Sequence, residues 1–87
     1  MEKSKIVKMG YTIQQFLVDQ KLNDAKPKDL MDVLIKRSYF DNDQKEGQPL
    51  RNILRQLDDE NILYLLPQVR VERKDINRFS FFNAVKF

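Results

Sequence analysis

The feature that most constrains this chain is a change of period in its second half. Leu50, Ile53, Leu54 and Leu57 recur at helical spacing, the cleanest apolar stripe in the sequence. From Leu63 the period falls to two. Gln68, Arg70 and Glu72 alternate with Val69 and Val71, and further on Phe79, Phe81, Val85 and Phe87 alternate with Arg78, Ser80 and Lys86. Between these runs lies "RKDIN", residues 73–77, a polar tip with Asp75 and Asn77 as turn formers. A helix followed by a β-hairpin is the expected outcome, with Pro67 putting the first strand at an edge or a bulge. Phe82 and Ala84 interrupt the polar face of the second strand, so part of that face is expected to be covered.

Two further helices precede the stripe. Thr12 and Gln15 have capping-box spacing, and Ile13, Phe16 and Leu17 follow at i, i+3 and i+4, which predicts a first helix from Thr12 to about Leu22. Pro27 suits the first turn of a second helix, whose core stripe is Leu30, Val33 and Leu34 and whose end carries Lys36 and Arg37. Tyr39 and Phe40 read as an aromatic plug at its exit. "DNDQKEGQ", residues 41–48, is a polar surface loop leading to Pro49 at the start of the third helix. That helix should stop near Glu60, with Asn61 left-handed beyond its cap and Ile62 folding back onto it. The expected fold is α+β: three helices followed by a C-terminal β-hairpin, one domain over residues 11–87 preceded by a basic arm at residues 1–10.

Composition narrows the chemistry. A chain of 87 residues forms one domain and buries only about 60–65% of its extended surface, so most apolar side chains must go inside. With no Cys and no His, thiolate and imidazole metal sites, cysteine nucleophiles and histidine bases are excluded. The acidic residues cluster in a loop and at a helix end without a supporting base, so no enzyme is expected. "DNDQKEG" lacks the spacing of a calcium loop, and no glycine-rich phosphate loop or other cofactor motif is present. No run of about 18 apolar residues is found, and "MEKSKIVKMG" lacks the apolar core of a signal peptide; a cytoplasmic protein is expected.

The stretch "LRNILRQLDDENILYLLP", followed by "VRVERKDINRFSFF", resembles the third helix and wing of the winged helix-turn-helix superfamily. "LRQLDDENIL" is similar to the segment that ends the recognition helix there, with Asn61 where glycine is common. The eight-residue loop before it is longer than the tight turn of a compact helix-turn-helix. The resemblance implies double-stranded DNA as partner, the third helix in the major groove and the wing on the phosphate backbone. Such a protein acts as a transcriptional regulator or a recognition module, and dimerises if it is sequence-specific.

The residue types fit this role. Gln48, Arg51, Asn52, Arg55 and Gln56 lie off the apolar stripe of the third helix, and Arg, Asn and Gln are the side chains that read base edges. The plain alternative is a solvated face with an Arg55–Asp59 pair at i, i+4. Arg70, Arg73, Lys74 and Arg78 gather around the hairpin tip, suited to phosphate; the alternative is an edge strand using charge against aggregation. Lys3, Lys5 and Lys8 make either a helping arm or a solubilising tail. Phe79, Phe81, Phe82 and Phe87 are expected to be core rather than a base-stacking platform, and an exposed Phe82 or Phe87 would point to a dimer interface.

Charge adds a warning. The net charge is +3, but residues 41–62 carry three basic against six acidic side chains, and residues 1–40 and 63–87 hold the excess of base. The second reading is therefore a protein–protein adaptor without DNA binding. The two part on whether Arg51, Arg55, Arg70, Arg73 and Arg78 share one surface.

Overall fold

Three helices come first: α1 (Lys3–Gln20), α2 (Pro27–Lys36) and α3 (Gln48–Asp59). A 3-10 turn, Leu63–Leu65, leads to strands β1 (Val69–Lys74) and β2 (Asn77–Phe82). The computed structural model describes residues 1–85; Lys86 and Phe87, expected in the second strand, lie outside the described residues. The architecture is α+β, three helices followed by a two-stranded antiparallel hairpin.

The first helix corrects the sequence reading. It begins at Lys3 rather than Thr12, so residues 3–10 are helix and not an arm. The reason is burial: Ile6, Met9 and Gly10 are buried and carry the Ile13–Leu17 stripe back toward the N-terminus, while Lys3, Lys5 and Lys8 remain exposed. A Cβ at Gly10 would meet Leu66 Cδ2 at 3.1 Å, so glycine lets α1 approach the chain beyond the 3-10 turn. Thr12 and Gln15 therefore lie within the helix instead of capping it. Thr12 Oγ1 sits 3.3 Å from Tyr39 Oη, and Gln15 donates to Asp19 at 2.7 Å.

The other two helices begin and end close to expectation. At α2, the Asp29 carboxylate accepts the Lys26 N–H at 2.9 Å beside Pro27. Before α3, Gly47 turns at φ 95° with its N–H held by Asp43 at 2.7 Å. Asn61 takes φ 59°, and the Ile62 N–H returns to the Leu57 carbonyl at 2.9 Å. The core joins Ile6, Met9, Ile13 and Leu17 of α1, Leu30, Met31 and Leu34 of α2, and Leu50, Leu54 and Leu57 of α3. Ala25, Leu66 and Phe82 complete it.

The hairpin departs from expectation in start and phase. Residues 63–65 form a 3-10 turn rather than strand, with Leu63 and Leu65 half-buried and Leu66 buried. Leu65 and Leu66 are adjacent and both turn toward the core, with Tyr64 exposed before them, a pattern that a strand with one buried face does not give. The tip is the two-residue turn Asp75–Ile76, shorter than residues 73–77, with Lys74 paired to Asn77. Phe82, not Phe79 and Phe81, is the fully buried ring; Phe79 is 47% exposed and Ile76, at the tip, 96% exposed. Gln68, expected on the polar face, is buried and donates to Gln14 Oε1 at 3.2 Å.

Phe82 is inward because β2 docks there. Its N–H and C=O bond to the C=O and N–H of Ala25 at 2.8 and 2.9 Å, an antiparallel bridge just before α2. Asn83 pairs with Asp24, and the Gln14 amide bonds both the N–H and the C=O of Val85 at 2.9 Å, as a backbone peptide would.

Candidate nucleic-acid interface

The N-termini of α2 and α3 lie side by side. Gly47 is so close to α2 that a Cβ there would come within 2.8 Å of the Lys28 nitrogen. A groove of about 820 Å³ opens from this junction and runs between α3 and β2. Lys26, Lys28, Arg51, Arg55 and Arg78 border it, against Glu46 and Asp58.

The α3 residues picked from sequence divide between two sides. Gln48, Arg51 and Arg55 border the groove; Gln56 lines a smaller depression next to the start of α1. Asn52 is exposed and accepts from Gln48 Nε2 at 2.6 Å. The Arg51 guanidinium is hydrogen-bonded to the Lys45 carbonyl, which fixes it beside the loop. The Arg55–Asp59 pair of the plain alternative is not formed. Arg55 is exposed and makes no ion pair among the described residues, because Asp59 is engaged by Arg78 at 3.1 Å.

The hairpin arginines also divide. Arg73 and Arg78 turn toward α3, where Asp58 accepts both, at 2.5 and 3.3 Å. Arg70 points from the other face of β1. It lies 3.3 Å from Glu72, 3.4 Å from Asp24 and 5.3 Å above the centre of the Phe81 ring, a cation–π contact. Lys74 is exposed near the tip with no ion pair among the described residues. So Arg51, Arg55 and Arg78 share one surface, Arg73 adjoins it through Asp58, and Arg70 does not belong to it.

The charges of α3 run against its dipole. An α-helix favours acids at its start and bases at its end. Here the first turn holds no acid and the last no base, while Asp58, Asp59 and Glu60 crowd the C-terminus. Arg73 and Arg78 relieve that crowding from outside the helix. At the other end Asp29, Asp43 and Glu46 offset part of the positive charge without matching it. The positive helix ends of α2 and α3 add to Lys26, Lys28, Arg51 and Arg55, making a pole for an anion.

Sequence reading missed Lys26 and Lys28. They flank Pro27 at the start of a helix, and nothing local says that this start abuts the third helix. Comparison with protein-family models, curated proteins and solved structures finds no match to the chain. No helix among the described residues is long and apolar enough to cross a membrane.

Proposed function

We propose that this chain binds double-stranded DNA as a winged-helix module, serving a regulator or a recognition complex. The order of elements, with a hairpin folded back on three helices, supports that layout. The observation that carries the reading is the groove's electrostatics: two helix N-termini and four cations converge where a phosphate backbone would pass. Arg51 and Arg55 reach the bases from the groove side of α3, with Asn52 exposed next to them, and Lys26 and Lys28 hold the strand beside it. Lys74 reaches the flanking backbone from the tip. Arg73 and Arg78 serve mainly to fix the hairpin against α3, since their charge is already met by Asp58 and Asp59.

Anisotropy of a labelled mixed-sequence duplex tests this. With about four phosphate contacts, affinity falls by roughly two decades between 50 and 200 mM salt. Lys26→Ala and Lys28→Ala should each flatten the logarithmic slope by about one. Absence of binding at 50 mM salt, or a slope indifferent to both substitutions, defeats the proposal.

A protein adaptor is the second reading, favoured by the apolar exposure of Phe79 and Ile76 along the hairpin. Under it, the duplex fails to bind while Phe79→Ala abolishes capture of the partner.

A further inference from the structure

The same groove has a property that the DNA reading does not use. In β1 and β2, Lys74 and Asn77 close a two-residue turn, and the register runs on to Val69 opposite Phe82. The N–H and C=O of Phe82 point away from β1, because both bond to Ala25. Strand geometry repeats every second residue, so the backbone groups of Ser80 and Arg78 point the same way. Ala25 occupies the third-strand lane beside Phe82, and among the described residues nothing follows it there. Pro27, two residues on, lacks an N–H and starts α2, taking the chain out of the lane. The groove begins at that departure, with Lys26, Pro27 and Ser80 on its wall.

We infer that this lane accepts an extended acidic peptide, which adds to β2 as a third strand antiparallel to it. The inference stands apart from DNA binding. An edge that alternates N–H donors with C=O acceptors matches another peptide backbone, whereas its carbonyls repel phosphate. The lining fixes the peptide's pattern. Residues opposite Ser80 and Arg78 direct their side chains to the helix side, where Lys28, Arg51 and Arg55 lie, so those positions are acidic. The intervening residues lie on the outer face beside Phe79 and Phe81 and are apolar. Charge complementarity and hydrogen-bonding pattern thus select the same occupant, a strand alternating acidic and apolar residues.

The test titrates the isotope-labelled full chain with a capped hexapeptide alternating glutamate and valine, followed by NMR. The Arg78 and Ser80 amides should shift and become protected from hydrogen exchange. N-methylation of the glutamates, which removes the donors facing β2, should weaken binding by about tenfold or more, as should replacing glutamate by glutamine. Ser80→Pro deletes a donor that faces the groove rather than β1, so it should lose the peptide and keep duplex binding. The lane is refuted if the hexapeptide does not bind, if the N-methylated peptide binds equally well, or if the shifted amides lie elsewhere. Protection of Arg78 and Ser80 by duplex DNA but not by peptide also overturns it, and makes the edge a phosphate site. Should Ser80→Pro fail to fold, the N-methyl comparison still decides.

Discussion

Each helix of this chain ends on a left-handed residue, and none of the three is glycine. Lys21, Ser38 and Asn61 take φ of 53, 65 and 59°. The amide after each reaches back five residues, to Leu17, Leu34 and Leu57. This is the Schellman arrangement, which satisfies carbonyls that a helix end would otherwise leave open. Asn61 was legible in the sequence because asparagine tolerates this conformation; Lys21 and Ser38 were not, since their side chains carry no such signal. Ser38 is exposed, so its replacement disturbs little else. Ser38→Gly should therefore raise stability by about 0.5–1 kcal/mol, seen as an increase of roughly 3–6 °C in Tm by calorimetry. An unchanged or lower Tm would mean that the backbone strain is matched by the entropy glycine loses on folding.

For whole elements, the spacing of apolar residues was enough where it was long and uninterrupted. The starts of α2 and α3 followed from Pro27 and Pro49. The first helix extends further than its capping-box spacing implies because Ile6 and Met9, set among the exposed Lys3, Lys5 and Lys8, continue the stripe of Ile13 and Leu17. For the hairpin, a period of two shows that faces alternate but not which one is buried. That choice is made by the distant bridge from Ala25 to Phe82, for which neither segment carries a local mark. The inverted phase has a measurable consequence. Phe82→Ala should destabilise by about 3–5 kcal/mol in urea unfolding and Phe79→Ala by less than about 1. The ion pairs between hairpin and α3 are a separate, weaker tie. A double-mutant cycle of Asp58→Ala with Arg78→Ala should give a coupling of about 0.5–1 kcal/mol at low ionic strength. In 1 M salt most of it should vanish, since the Debye length there is about 3 Å.

Across the whole molecule, the small net charge conceals a separation of charge. The acidic stretch, which by composition alone opposes an anionic partner, is split by the fold: Asp58 and Asp59 are engaged by the hairpin, while Lys26 and Lys28 join Arg51 and Arg55. The sequence showed the amounts but not the pairing, which depends on contacts between remote segments. Location and total charge can be separated. Lys28→Glu with Arg55→Glu, or Lys3→Glu with Lys5→Glu, each takes the chain from +3 to −1. The groove pair should reduce duplex affinity at least about tenfold more than the α1 pair, measured at one salt concentration. Equal losses would mean that binding follows bulk charge and has no defined site.

The closure of the C-terminal segment onto Gln14, Asp24 and Ala25 also sets an order of events. The hydrogen bonds between Gln14 and Val85 span 71 residues, and that between Asp24 and Asn83 spans 59. Helices form from neighbours within a turn, so the three can appear early, but these contacts require the chain to close its longest loops first. Until Phe82 arrives, the pocket it fills among Ala25 and the helices stays open to water. During synthesis on a ribosome Phe82 emerges after all three helices, leaving the helical part for that interval as a surface able to stick to its neighbours.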